Sequence, residues 1–259
     1  MKVVLFCGGL GTRIREQSGG LPKPMVNIGS KPILWHIMKY YAHYGHKDFI
    51  LCLGYKPEAI KNYFLNYDQC LGNDFTLSNG NRQVHHKESD IADWNITLAD
   101  TGLKTNIGQR LKAVEKYIGD DEYFLANYAD GLTDLPLPAM IDYFMKSGKI
   151  GSFICAKPSQ SFHVVTLKEG DLVAKLQNVR ETDLIINAGY FVFKKEIFNY
   201  IRDGEELVFE PFQRLISEGQ LLGYKYDQFW CMDTFKEQQE LNDMYERGNA
   251  PWEVWKKME

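Results

Sequence analysis

The sequence has no Cys-x-x-Cys pair, and its five cysteines (Cys7, Cys52, Cys70, Cys155 and Cys231) are odd in number. A disulfide framework is therefore not what organises the fold. Their mostly apolar surroundings predict reduced, buried thiols in a cytoplasmic protein. Apolar runs such as 50–53 and 191–193 are far too short to cross a bilayer, which predicts no membrane partner. The opening stretch Met1-Lys2-Val3-Val4-Leu5-Phe6-Cys7 has no small-residue cleavage site and predicts no secretory leader. No repeat, low-complexity tract or linker occurs. There is no surplus of positive charge either: 30 Lys and Arg stand against 34 Asp and Glu, a net of −4, which argues against general nucleic-acid binding. Hydrophobic residues at 44% and charged residues at 25% carry no signature of a disordered, collagen-like or coiled-coil chain.

What is present is a chain of 259 residues, long enough for one large domain with a substantial core. The charge is unevenly spread. Residues 1–61 hold nine Lys and Arg against Glu16, Asp48 and Glu58, a local +6 that leaves about −10 for the remainder. A basic first quarter in an acidic protein suits a small anionic ligand by local field focusing; chance clustering of solvated lysines is the other reading.

Residues 2–7 read as a short, fully apolar strand. A loop of about 24 residues follows, rich in Gly and Pro, and a long loop inside a compact domain is usually functional. Pro32 then opens a helix with Ile33, Leu34, Ile37, Met38 and Tyr41 at helical spacing. Strands are predicted at 48–53, 75–77 (weak) and 123–128, with helices at 57–64, 110–117 and 137–145. Residues 79–106 have no clear period beyond a short alternation at 94–98. The order strand, helix, strand indicates an α/β fold: a Rossmann-like, mainly parallel mixed sheet with helices on both faces. After residue 148 the rhythm changes to strands at 151–156, 164–167, 173–176, 189–193 and 221–226, helices at 196–201 and 209–217, and a charged helix at 234–247. This predicts a single domain, 1–259, with a first lobe (1–148) and a smaller mixed lobe plus C-terminal helix (149–259).

Three constellations carry chemistry. Gly8-Gly9-Leu10-Gly11-Thr12-Arg13 directly follows the opening strand. Its glycines allow close backbone approach, its N–H groups suit a phosphate nest, and Arg13 adds a bidentate partner. It fits neither the Walker A nor the GxGxxG pattern, so a tight turn is the alternative. Pro22-Lys23-Pro24-Met25 fixes the backbone around one lysine, a preorganised charge for a triphosphate. Tyr128-Ala129-Asp130-Gly131 ends an apolar strand, where open α/β sheets bind ligands. Asp130 is then either a Mg²⁺ ligand or part of an Asp-Gly turn. Asp233 is either a second carboxylate or a helix N-cap, a role Thr234 could fill instead.

Together these residues resemble the sugar-1-phosphate nucleotidyltransferase family. Lys31-Pro32-Ile33-Leu34-Trp35-His36-Ile37-Met38, Gly54-Tyr55-Lys56, Trp94-Asn95-Ile96-Thr97-Leu98, Asp100-Thr101-Gly102 and the stretch from Gly248 to Trp252 are similar to its glucose-1-phosphate cytidylyltransferase branch. The resemblance spans nearly the whole chain. It implies CTP as donor, a phosphate-bearing acceptor, Mg²⁺, and a CDP-linked product with release of pyrophosphate, in the setting of polysaccharide or capsule biosynthesis. Arg13 and Lys23 would be catalytic. Gly8, Gly9, Gly11, Thr12, Arg13, Lys23, Gly108 and Arg110 would bind the nucleotide, Asp130 and Asp233 the Mg²⁺, and Asn187 the acceptor.

The departures from the family pattern cluster on the acceptor side. Where the family has Glu-Lys-Pro, with a lysine on the acceptor's phosphate, this chain has Gln177-Asn178-Val179-Arg180. Phe-Gly becomes Phe162-His163, Asn-Gly-Gly becomes Asn187-Ala188-Gly189, and Tyr-Gly-Asp-Gly becomes Tyr128-Ala129-Asp130-Gly131. Losing a cation from a phosphate site costs about 1.5–3 kcal/mol. The expectation is a changed acceptor: a smaller or non-sugar phosphate, such as a phosphorylated amino acid or polyol. Arg180 or Lys175 could replace the cation, and His163 either adds a contact or is a satisfied lobe histidine. The rival readings are a conventional glucose-1-phosphate enzyme using Arg180, a non-catalytic nucleotide-binding protein, and transfer from UTP or dTTP. His85-His86 points to opposite faces of a strand and reads as solvated or interfacial. Trp252 and Trp255 would dock on the body or on another subunit, in a possible homo-oligomer.

Overall fold

A computed structural model of the chain describes residues 1–9, 19–67, 75–79, 83–86, 89–159 and 162–256. Seven strands form one sheet: β1 (Val3–Phe6), β2 (Asp48–Leu53), β3 (Asn95–Asp100), β4 (Tyr123–Asn127), β5 (Gly151–Ala156), β6 (Ile186–Lys194) and β7 (Leu221–Lys225). Their spatial order is β7-β5-β6-β4-β1-β2-β3. Four of the six neighbouring pairings are parallel: β1 with β2 and with β4, β2 with β3, and β5 with β7. β6 runs antiparallel to both β4 and β5.

Side-chain alternation divides the core into two layers, because successive residues of a strand face opposite sides. Val3 and Leu5 of β1 join one layer, while Val4 and Phe6 join the other. β2 repeats the split with Phe49, Leu51 and Leu53 against Ile50 and Cys52. Helices α1 (Ile33–His43), α2 (Pro57–Leu65), α5 (Leu137–Ser147) and α7 (Phe235–Glu246) cover the first face through Ile37, Ile60, Phe144 and Leu241. Helices α3 (Ile107–Ala113), α4 (Glu115–Ile118) and α6 (Glu210–Ser217) cover the second through Leu111, Ile118 and Leu215. Each such side chain, taken fully out of water, contributes roughly 1.5–3 kcal/mol. Central strands buried on both faces need no polar alternation, which is why β1 reads as an unbroken apolar run.

Several elements differ from the sequence expectation. β3 closes the sheet edge at the short alternation read at 94–98 and runs on to Asp100; its polar residues Asn95 and Thr97 are tolerated because an edge strand is less buried. The helix expected at 110–117 starts earlier, at Ile107, because Asn106 caps it by accepting the Gln109 N–H at 2.9 Å, and it breaks at Val114 into α3 and α4. Residues 195–200 form a 3₁₀ run instead of an α-helix. Three strands beyond residue 148 join the central sheet, and the part that stands apart is the antiparallel hairpin His163–Leu167 with Val173–Asn178. The C-terminal aromatics dock on the body: the Trp255 ring meets Trp35 at 5.8 Å, and Trp252 is buried against Trp230. Cys7 and Cys52 are buried free thiols, and Cys155 and Cys231 are partly buried free thiols. Among the described residues no helix is long and apolar enough to cross a membrane.

β6 carries a register shift opposite β5, and Gly189 sits there with φ of +74°. A Cβ at this position would run into the Tyr128 ring. Gly148, at the end of α5, has φ of +66° with open space around it. Gly148→Ala therefore carries only the left-handed strain of ~1–2 kcal/mol, whereas Gly189→Ala adds overpacking. Thermal melting should show Gly189→Ala lowering Tm at least twice as much as Gly148→Ala; equal shifts would mean that the Tyr128 ring yields without cost.

Candidate active site

The site begins where β1 leaves the core. Cys7 N–H still donates to the Cys52 carbonyl at 3.0 Å, and the chain then emerges at Gly8 and the exposed Gly9. Gly8 has to be glycine, since a Cβ would overlap the guanidinium of Arg110. Arg110 is 2% exposed, and its guanidinium has four hydrogen-bond acceptors. Its Nη1 donates to the Leu53 carbonyl at 3.1 Å and to Thr101 Oγ1 at 2.7 Å. Its Nη2 donates to the Gly8 carbonyl at 3.0 Å and to the Leu103 carbonyl at 3.4 Å. Arg110 thus ties the ends of β1 and β2 and the segment after β3 to one point. The sequence placed it on the wall of the nucleotide pocket; the structure puts it beneath the glycine turn. Gly108 likewise lies against the backbone of residues 205–207, where a side chain would collide. Gly11, Thr12 and Arg13 lie outside the described residues.

Lys23 occupies a short 3₁₀ turn, Lys23–Met25, entered from Pro22 at φ of −64°. Met25 N–H donates to the Pro22 carbonyl at 2.8 Å, and Pro24 and Met25 are buried, so the lysine backbone is fixed on both sides. Asp130 follows β4, and its placement depends on the buried Asn127. The Asn127 Oδ1 accepts the Ala129 N–H at 2.7 Å, while its Nδ2 donates to Tyr41 Oη at 3.3 Å. This turn holds Ala129 at φ of +60°, a left-handed conformation costly for a residue with a Cβ. Strain of that kind persists where the surroundings over-determine it.

Asp233 reaches the same place through pairing. Gly131–Thr133 and Phe229–Cys231 form a two-stranded antiparallel ladder with Gly131 opposite Cys231. Met232 N–H extends it by donating to the Asp130 carbonyl at 2.9 Å. The start of α7 then frees Asp233 from capping duty. Thr234 is the N-cap and shares a capping box with Glu237, whose carboxylate accepts the N–H of both Asp233 (2.7 Å) and Thr234 (2.9 Å).

The three side chains meet. Lys23 Nζ donates to Asp130 Oδ2 at 2.8 Å and to Asp233 Oδ1, with the lysine side chain 14% exposed. Burial pulls the Lys23 ammonium down, but the two carboxylates outweigh it and hold its pKa above the ordinary lysine value. Burial pushes the Asp130 carboxyl above the usual carboxylate range, against the pull of Lys23. Among the described residues no group of three or more His, Cys, Asp or Glu is gathered around one point. Two carboxylates converging on a point now filled by an ammonium suit a divalent cation whose remaining ligands are phosphate oxygens and water.

Lys23 and Asp130 line a cleft of about 220 Å³ together with Gly9 and the apolar side chains of Phe6, Ile107 and Tyr128. Asn187 Oδ1 accepts the Gly189 N–H at 2.9 Å and its Nδ2 donates to Tyr128 Oη at 3.4 Å, so it reaches the cleft's lining through Tyr128. Arg180 lies elsewhere. Its guanidinium donates from Nε (3.0 Å) and from Nη2 to the Ser159 carbonyl, in a separate groove of about 400 Å³ bordered by Thr234 and Glu237. His163 is exposed at the base of the hairpin, opposite Asn178, and Lys175 is exposed further along it. Asn127, Thr101 and Glu237 are positioning residues that the sequence reading missed. The signal for Asn127 was a single polar residue closing the run Phe124-Leu125-Ala126.

A glycine turn and Asp130 at the carboxyl ends of the neighbouring parallel strands β1 and β4, a fixed lysine, and Asp233 brought across by an antiparallel ladder form a site of a kind suited to phosphates. Comparison with known proteins gives the family: residues 2–234 match the nucleotidyl transferase family, and the chain belongs to it. It is 40% identical over 258 residues to the glucose-1-phosphate cytidylyltransferase of Salmonella typhimurium, covering 98% of this chain and 100% of that one. The Salmonella typhi protein of the same name matches with the same identity and coverage. Among solved structures, UDP-glucose pyrophosphorylase complexed with UDP-glucose shares the fold, with a TM-score of 0.69 at 16% identity over 95% of this chain and 98% of that one. The enzyme class inferred from the motifs is thereby borne out.

Arg110→Met removes a cation with four acceptors, and unsatisfied buried acceptors cost roughly 1–3 kcal/mol each. Melting curves should show a loss of about 3 kcal/mol or more, or roughly 6–12 °C in Tm. A variant as stable as the wild type would show that the guanidinium does not hold the glycine turn.

Proposed function

We propose that the protein is a Mg²⁺-dependent cytidylyltransferase that joins CTP to a phosphorylated acceptor other than glucose 1-phosphate, forming a CDP-linked product and pyrophosphate. The observation that carries the chemistry is the meeting of Lys23, Asp130 and Asp233 beside the glycine turn. CTP as donor is supported by the full-length relatives named as cytidylyltransferases.

The reaction needs little acid–base help, because a phosphate monoester is already largely ionised near pH 7. An oxygen of the acceptor's phosphate attacks the α-phosphorus of CTP. The bond to the oxygen bridging the α- and β-phosphorus breaks, and its electron pair leaves with pyrophosphate. Gly8 and Gly9, with Gly11, Thr12 and Arg13, hold the triphosphate; Lys23 offsets its charge. Asp130 and Asp233 would hold Mg²⁺, which when bound neutralises charge on the phosphate oxygens. Catalysis is positioning plus charge neutralisation.

The changed acceptor is supported by what stands at the family's lysine position. Asn178 Oδ1 accepts the Arg180 N–H at 3.0 Å, and Val179 is fully buried. The nearby cation, Arg180, is engaged with Ser159. A phosphorylated amino acid or polyol is the class we favour. The second reading is a conventional glucose-1-phosphate acceptor, favoured by the names of the same relatives.

Pyrophosphate release with CTP and Mg²⁺, across glucose 1-phosphate, other sugar phosphates, polyol phosphates and phosphorylated amino acids, separates the two. We expect weak turnover of glucose 1-phosphate and a kcat/KM of about 10⁴ M⁻¹s⁻¹ or more for a non-sugar phosphate. That efficiency on glucose 1-phosphate instead would overturn the acceptor reading. Arg180→Ala should leave the acceptor KM within about twofold of wild type, since a side chain that only braces Ser159 contributes no phosphate contact; a tenfold rise, about 1.4 kcal/mol, would place Arg180 on the acceptor.

A further inference from the structure

Lys23 fills the point on which Asp130 and Asp233 converge. The same ammonium is hydrogen-bonded to both, while the two carboxylates keep 30% and 34% of their side-chain surface exposed toward solvent. A divalent cation held between the two carboxylates would compete with the ammonium for that point, and two positive charges in direct contact repel. The lysine backbone is pinned by Pro22, Pro24 and the buried Met25, so only the side chain is free to yield. It lines the same cleft as Gly9.

Building on the metal-dependent reading above, we propose that Lys23 is a resident counter-cation that the metal must displace, and that this displacement couples metal binding to triphosphate binding. Without nucleotide the ammonium neutralises the carboxylates and keeps metal affinity low. With nucleotide the released ammonium moves onto the triphosphate, so each ligand favours the other. Such coupling is reciprocal: CTP raises metal affinity by the same factor as metal raises CTP affinity. Lys23 is then more than a fixed phosphate contact; it keeps the two binding events from occurring separately.

The test reads Mn²⁺ binding to the full-length protein by the free-ion electron paramagnetic resonance signal, without acceptor, with and without CTP. In the absence of CTP, Lys23→Met and Lys23→Gln should each bind Mn²⁺ at least tenfold more tightly than wild type. Lys23→Arg, which keeps the charge, should stay within about threefold. Lys56→Met, a lysine outside the triad, should change the affinity less than twofold, which separates displacement from a general loss of positive charge. The factor by which CTP tightens Mn²⁺ binding should shrink at least tenfold in Lys23→Met. Circular dichroism melting confirms which variants are folded, and either neutral variant suffices. Unchanged or weaker Mn²⁺ binding by a folded neutral variant, or a CTP effect as large as in wild type, would overturn the counter-cation role and leave the metal-dependent reading intact. Absence of Mn²⁺ binding by wild type even with CTP would bring down that reading and this proposal together.

Discussion

The shared hydrogen bonds of Lys23 to Asp130 and Asp233 are the constraint around which this site is built. Three half-buried charges within hydrogen-bond reach are costly to assemble, because each gives up water. The protein offsets that cost with backbone order supplied from three directions. Two prolines hold the lysine, Asn127 holds the turn before Asp130, and the ladder of Gly131–Thr133 with Phe229–Cys231 brings Asp233 across. Without that order the same three residues would be ordinary solvated loop charges.

The support beneath the site is apolar and rigid. β1 and β4 lie side by side at the middle of the sheet and deliver Gly8 and Asp130 from neighbouring strand ends. Arg110 knits the other side, linking the carbonyls of Gly8, Leu53 and Leu103 through one planar cation. Its five donors in a fixed fork suit this work in a way that a lysine's point charge does not. Gly8 lacks a side chain because the guanidinium fills that space, so one residue identity explains the other.

Much of this was legible in the sequence, and the limits have physical reasons. The apolar run at 2–7, the helix opened by Pro32 and the Asp-Gly closing β4 follow from local rules of burial and turn chemistry. The helix cap was left open between Asp233 and Thr234, and the capping box of Thr234 with Glu237 decides it. The edge strand β3 showed only as the short alternation at 94–98, because an edge tolerates polar residues and weakens the pattern. Arg110 was given the right neighbourhood, but its burial under four hydrogen bonds was not legible, since motif likeness does not say where a long side chain ends. Arg180 looked available for an acceptor's phosphate, but its long-range partner, the Ser159 carbonyl, leaves no trace in local sequence. The strain at Ala129 is likewise a property of its surroundings and not of the residue.

The proposed chemistry depends on Asp130 and Asp233 acting together at the nucleotide's phosphates. Phosphorus NMR of a mixture of enzyme, CTP, Mg²⁺ and the accepted phosphate tests it most directly, comparing wild type with the Asp130→Asn/Asp233→Asn double variant. The account predicts new diphosphate-ester signals and pyrophosphate for wild type, and a rate at least a thousandfold lower for a folded double variant. Turnover by that variant within tenfold of wild type would contradict it.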